Sequence, residues 1–225
     1  MTKISMNLKK KLIILFVVIA MAMVAITGYA SYSTASGALS AAAQNQLLSI
    51  GSTRHEQITS YFFACFEDVY ALEYLKGAGD CLVAKEVDEA RGAYFNQWIT
   101  AYGYYDLFLI EPDGYVMYTY SQEKDYQSNL ATGIYSSSNL GALFKEVRSM
   151  PEGSVECSDL EMYAASNDYA MFIAGPIHRD GEVIGVVATQ LSIANINKIM
   201  QLNEGLGASG ETYLVNEAGY MTSDS

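Results

Sequence analysis

The apolar and polar positions divide this chain into three regimes. From Leu12 to Ala30 no residue is charged, and Leu12 to Ile26 is unbroken Leu, Ile, Phe, Val, Ala and Met. Roughly 20 such residues make about 30 Å of helix, enough to cross a bilayer. From residue 31 to 76 the chain has no proline and only two glycines, Gly37 and Gly51, which predicts that the helix continues. Within it Ile58, Phe62, Cys65, Val69 and Leu72 recur at four-three-four-three spacing, a single apolar stripe. Gly77 and Gly79 are expected to end this helix, and residues 83–102 to form another. A helix of some 40 residues, about 60 Å, is longer than one small domain is wide, so part of its stripe is expected to pack on a twin in a homodimer.

Beyond residue 102 the period changes to that of strands. Tyr105 to Tyr120 reads as two β-rich runs around Pro112, Asp113 and Gly114, and the runs Ala170–His178 and Glu182–Ser192 flank Arg179, Asp180 and Gly181. Both read as hairpins, because glycine supplies the positive φ that such turns need. A further strand at 154–159 and helices near 140–149 and 193–203 complete the pattern. Two hairpins and one strand make a five-stranded antiparallel sheet with helices against it, a PAS-like α+β module. The stretch Phe108-Leu-Ile-Glu-Pro-Asp-Gly114-Tyr115 recurs as Tyr213-Leu-Val-Asn-Glu-Ala-Gly219-Tyr220, which predicts that a second such module opens near the end of the sequence and closes beyond it. The expected organisation is a cytoplasmic N-terminus (1–11), a transmembrane helix (12–30), a long extracytoplasmic helix (31–76), a first module (77–202), and a connector with the truncated start of a second (203–225).

Charge sets the orientation. Lys3, Lys9, Lys10 and Lys11 precede the apolar run, and no acidic residue appears before Glu56. Lysines on one flank hold that flank in the cytoplasm and send residues after about 31 across the membrane. A cleaved signal peptide is the competing reading, but its apolar core is usually only about 7 to 15 residues long. Beyond residue 30 there are nine basic residues against 25 acidic ones, which excludes a nucleic-acid partner, since phosphate binding needs a basic surface. Cys65, Cys81 and Cys157 are read as free thiols, with a Cys65–Cys81 bridge as the alternative.

Several motifs match by letters only. Gly205-Leu-Gly207-Ala-Ser-Gly210 spells the dinucleotide fingerprint, but here a helix precedes it and a strand follows, the reverse of what pyrophosphate binding needs. His178-Arg179-Asp180 lies in a turn, without the other elements of a kinase, and Ser121-Gln-Glu-Lys124 lacks the companions of a penicillin-recognising serine. With two histidines, His55 and His178, and no CxxC or HExxH pattern, neither a metal site, nor a cofactor, nor a hydrolytic nucleophile–base pair is expected. The chain is therefore read as a non-enzyme. Its 18 tyrosines suggest binding instead, because tyrosine gives a pocket wall both an apolar face and a hydroxyl. Three clusters stand out: Trp98 with Tyr102 on a helix; Asp106, Tyr118 and Tyr120 on the first hairpin; and Tyr163, Ser166, Asn167 and Asp168 in a loop before a strand. Their convergence on one cavity for a small polar or anionic molecule is the expected ligand site.

The lysine-flanked span, the stretch SASGALSAAAQNQL and the runs YYDLFLIEPDGYVMYT, FIAGPIHRDGEVIGVVATQLSIANINKIM and GASGETYLVNEAGYMTSDS together resemble the double Cache sensor domains of bacterial methyl-accepting chemotaxis receptors. The resemblance covers nearly the whole chain. It implies an inner-membrane receptor with an extracytoplasmic or periplasmic sensor, ligand binding in the first module, dimerisation through the long helix, and signalling by a small helix shift. Similar sensors serve histidine kinases and cyclases, so those outputs remain alternatives. Amino-acid-binding members carry Arg-x-Trp and an aspartate soon after a tyrosine. Here Asn96 stands two residues before Trp98 and Ala165 two after Tyr163, so the resemblance does not carry over that mode of recognition.

Overall fold

The computed structural model describes residues 7–74, 76–202, 205–207, 210–215, 219, 221 and 223. The chain divides into two units, residues 1–52 and 53–225. Helix α1 (Leu8–Tyr74) begins in the first. There its side chains are exposed, and Leu12 to Ile26 present their apolar surface outward. Among the described residues this is the one helix long and apolar enough to cross a membrane, with a mean hydropathy of 2.7 over its most apolar window.

The second unit is an α+β domain. After α1 come α2 (Lys76–Ala84), α3 (Glu89–Tyr102), β1 (Asp106–Ile110), β2 (Val116–Thr119), α4 (Asn139–Val147), β3 (Glu156–Cys157), β4 (Glu161–Tyr163), β5 (Asp168–Ala170), β6 (Phe172–Arg179), β7 (Glu182–Gln190) and α5 (Ile193–Met200). The main sheet has the order β2-β1-β7-β6-β3 with every pairing antiparallel, the five strands that the two hairpins and the extra run predict. At the first hairpin Gly114 has φ +99°, its amide bonds the Glu111 carbonyl, and the Tyr115 amide bonds the Asp113 carboxylate at 3.0 Å. Asp180 and Gly181 both have positive φ, as a tight two-residue hairpin requires.

Two apolar layers enclose the sheet. Cys65, Val69 and Leu72 of α1 pack with Ala78, Leu82, Phe95, Trp98 and Ile99 on the face that carries Leu107, Leu109, Ile173 and Val187. The stripe read from the sequence is thus buried largely against its own domain. On the opposite face Phe108, Ile110, Phe172, Val186 and Ala188 pack with Leu140, Leu143 and Phe144 of α4 and with Tyr163. The alternation of adjacent residues between faces sorts β1 into these layers.

Three expectations need correction. Gly77 and Gly79 do not end the helical region but lie inside α2, where Gly79 packs close to Arg179 and Ile177. The helix expected over 83–102 is two helices: α3 starts only at Glu89, capped by the Asp88 carboxylate, which accepts the Arg91 amide at 2.8 Å. Tyr163 to Asp168 is not a plain loop but the turn of a separate two-stranded hairpin, β4–β5. Of the repeat near the C-terminus, Asn216, Glu217, Ala218 and Tyr220 lie outside the described residues; Val215 and Met221 form an antiparallel bridge. The three cysteines are free, with Cys65 and Cys81 buried and Cys157 exposed.

Docking of α1 sets the stability of the domain. Leu72, fully buried, should cost about 2 to 5 kcal/mol when cut to alanine, against within about 0.5 kcal/mol for exposed Leu47, as read by urea unfolding.

Candidate functional site

The sheet separates the residues that the sequence groups together. Trp98 faces α1 and stacks on Tyr104 (ring centroids 4.9 Å apart, planes 7° apart) and on Tyr102 (5.0 Å, 26°). Trp98 is buried there while Tyr102 stays exposed, so this cluster serves packing. Tyr118 lies on the same side of the sheet, against Phe95, with its hydroxyl 3.3 Å from the Asn96 side-chain oxygen. Burial is the main cause that pushes the Tyr118 hydroxyl up to about 12. Asp106 and Tyr163 belong to the opposite face, and so the expected single cavity does not form.

A β-bulge explains the division. In β1 and β2, Ile110 pairs with Val116 but Leu109 pairs with Tyr118, so the register slips by one residue at Met117. Strict alternation would put Val116, Tyr118 and Tyr120 on one face; the extra residue swaps the faces and brings Thr119 beside Asp106 instead.

Two polar regions result. One is a groove of about 570 Å³ along the β2 edge, lined by Lys85, Asn96, Glu111, Tyr118, Tyr120 and Gln122, with Lys85 ion-paired to Glu111. The other is a buried polar cluster on the face away from α1. Asp106, almost wholly buried, accepts the amides of Leu107 (2.7 Å), Tyr120 (2.7 Å) and Ser121 (3.1 Å) and the hydroxyls of Thr119 (2.9 Å) and Ser121. Across the ladder it pairs with Gln190, which pairs in turn with Phe172. The Phe172 ring meets Tyr163 edge-on at 4.9 Å, and the fully buried Tyr163 hydroxyl donates to Asp125 at 2.6 Å. Burial raises the pKa of both Asp106 and Asp125; the hydrogen bonds they accept oppose the shift without cancelling it. Three acceptors of this region, Asp125 Oδ1, Gln190 Oε1 and Ser128 Oγ, are buried without a hydrogen-bond partner.

The remaining expected residues border this cluster. Ser166, Asn167 and Asp168 form the β4–β5 turn: the Asn167 amide bonds the Tyr163 carbonyl at 2.9 Å with Asn167 at φ +56°, and the Asp168 carboxylate accepts the Tyr169 amide at 2.8 Å. Asn167 and Asp168 are exposed. Sequence reading missed Asp125, Gln190 and Thr119. Only Gln190 carried a signal, as a polar residue ending an otherwise apolar strand that is buried on both faces.

No protein-family model matches the chain, and no curated protein matches it. Solved structures do. The fold is similar to the ligand-binding domain of the Pseudomonas fluorescens chemoreceptor CtaA in complex with L-serine, at 15% identity and a TM-score of 0.57, over 80% of this chain and 71% of that one. It is similar to the ligand-binding domain of the Pseudomonas aeruginosa amino-acid chemoreceptor PctC in complex with GABA, at 16% identity and a TM-score of 0.56, over 80% and 75%. It also matches the sensor domain of the Vibrio cholerae histidine kinase DctB, at 16% and 0.51, over 69% of this chain and only 59% of that domain's length. The architecture is therefore that of receptor sensor domains, the fold that the Cache resemblance implies.

The unpaired acceptors make the cluster testable before any ligand is known. Removing the Tyr163 hydroxyl with Tyr163→Phe should cost about 1.5 to 3 kcal/mol, because it strips a buried carboxylate of its donor. Asp125→Asn keeps an acceptor for Tyr163 and removes the charge. A carboxyl whose pKa is raised by folding contributes stability that is full below its unfolded value and lost as pH rises through the folded one. The Asn variant should thus gain on the wild type in urea unfolding as pH rises, with no gain at acidic pH.

Proposed function

We propose that this chain is the ligand-sensing region of a transmembrane chemoreceptor, with the buried Asp106–Gln190–Tyr163–Asp125 cluster as its ligand site. The observation that carries the reading is the set of buried acceptors without partners. Each costs about 1 to 3 kcal/mol while unsatisfied, and a small molecule rich in N–H or O–H donors would recover that free energy. L-serine and GABA, bound by the two chemoreceptor domains of similar fold, each carry an ammonium group, which suits the open oxygen of the buried Asp125 carboxylate. An anion is the poorer fit, since among the described residues no cation is hydrogen-bonded to either carboxylate.

In this reading residues 12–30 anchor the protein in the inner membrane, residues 77–202 form the first Cache module outside the cytoplasm, and residues 203–225 open the second. The exposed Leu39, Leu47 and Leu48 of α1 support a homodimer through that helix. A histidine-kinase output is the second reading, favoured by the likeness to the DctB sensor domain.

A thermal-shift screen of the full chain in nanodiscs against amino acids, amines and organic acids tests the site. Ligand at 100 times its Kd stabilises by about 2.7 kcal/mol. The expected hit carries an ammonium or several hydroxyl groups and loses at least about tenfold in affinity, or about 1.4 kcal/mol, in Asp125→Asn or Tyr163→Phe. A ligand indifferent to both changes but weakened by Tyr118→Phe would move the site to the β2-edge groove.

A further inference from the structure

One buried ionisable group lies far from the ligand face and is unexplained by it. Glu73, in the last turn of α1, is only 8% exposed, and both its carboxyl oxygens are buried without a hydrogen-bond partner. It sits in a notch made by Gly175 of β6. A side chain at 175 would collide with Glu73 Oε1 and, at 2.8 Å, with the Ser154 carbonyl oxygen, so the glycine makes room for the carboxyl and a backbone acceptor lies beside it. Gly175 sits between Ile173 and Ile177 on the α1 side of the sheet, so Glu73 is one of the points at which α1 meets the strands.

Burial favours the neutral form of this carboxyl, and among the described groups around it the Gly153 amide opposes that by favouring the charged form. Burial is the largest effect. The Gly153 amide faces it without closing a well-formed hydrogen bond, and Glu152 adds like charge. From α1 itself come Tyr70 and Tyr74, whose rings pack at 4.9 Å over Gly153, and the C-terminal end of a helix disfavours a negative charge. No described cation offsets it.

We propose that the Glu73 carboxyl is a proton-binding site: proton uptake locks the end of α1 against β6, proton release loosens it, and the domain thereby gains a second input besides its small-molecule ligand. In the neutral form the carboxyl O–H can donate to the acceptor beside it. In the ionised form a buried charge sits near a backbone carbonyl oxygen, and Glu152 adds like charge. Burial pushes the carboxyl from its ordinary 4.5 up to about 7, so the stabilisation is complete below about 4.5 and lost as pH rises through about 7. This lies in the physiological range.

The test uses the full chain in nanodiscs with the glutamate carboxyl carbons labelled with 13C. The resonance absent from Glu73→Gln identifies Glu73, and its titration midpoint should lie near 7. In parallel, hydrogen exchange at the amides of residues 68–74, corrected for intrinsic rate, should speed up between pH 6 and pH 8 in the wild type and stay slow throughout in Glu73→Gln. A midpoint near 4.5, or a pH dependence of exchange unchanged in Glu73→Gln, overturns the proposal. Should the Gln variant fail to fold, the exchange profile of the wild type decides: no acceleration across that range overturns it equally. Either result leaves the ligand site on the opposite face untouched.

Discussion

The contact between the apolar stripe of α1 and one face of the five-stranded sheet is the constraint on which the rest of the domain depends. Cys65, Val69 and Leu72 are buried in it, and α2 and α3 close around them with Leu82, Phe95 and Ile99. This face of the sheet is occupied by helices, with Thr189 the buried polar residue of β7 on it; the larger polar side chains of β1 and β7 gather on the other face. Asp106 and Gln190 do so, one strand apart, each at the end of its strand. The sheet therefore has one face that holds α1 and another that holds a buried polar cluster.

Under the proposed function, that division offers a physical route for signalling. A ligand that satisfied Asp125 and Gln190 would draw the β4–β5 hairpin and the strands together, and any shift of β6 and β7 is felt by α1 through Ile173, Val187 and Leu72. Interiors packed to this density transmit small displacements instead of absorbing them. Arg54 and the small core of Ile58, Ile196 and Met200 add a second tie, from α1 to α5 and the Leu202 carbonyl.

Much of the fold was legible in the sequence, because long periodic signals dominate it. The long apolar helix, the α1 stripe, both hairpins and the five-stranded sheet follow from spacing and from Asp-Gly turns. The failures have local causes. Gly77 and Gly79 read as helix breakers, yet both lie in α2; at Gly79 the close approach of Arg179 and Ile177 favours a small residue over helix propensity, while nothing in the structure explains Gly77. The grouping of side chains by face fails because a single bulge at Met117 inverts the faces of β2, and no turn residue or glycine marks it. The side chains of Tyr118 and Tyr120 were grouped with Asp106, whereas the side chains that bond it are those of Thr119 and Ser121, and Tyr120 gives only its amide. Asp125 lies in a loop of mixed polar residues, where nothing in the pattern distinguishes a buried aspartate from a solvated one.

The accessibility of the three thiols in the native protein tests most directly whether the α1 stripe is bolted to the sheet. Cys65 lies on the stripe, Cys81 beneath it on α2, and Cys157 on an exposed edge strand. With the full chain in nanodiscs and a maleimide probe, Cys157 alone should label rapidly, while Cys65 and Cys81 should label only after unfolding in urea. Rapid labelling of Cys65 in the native state would contradict the docking of α1, and with it the account of how the two faces of the sheet are coupled.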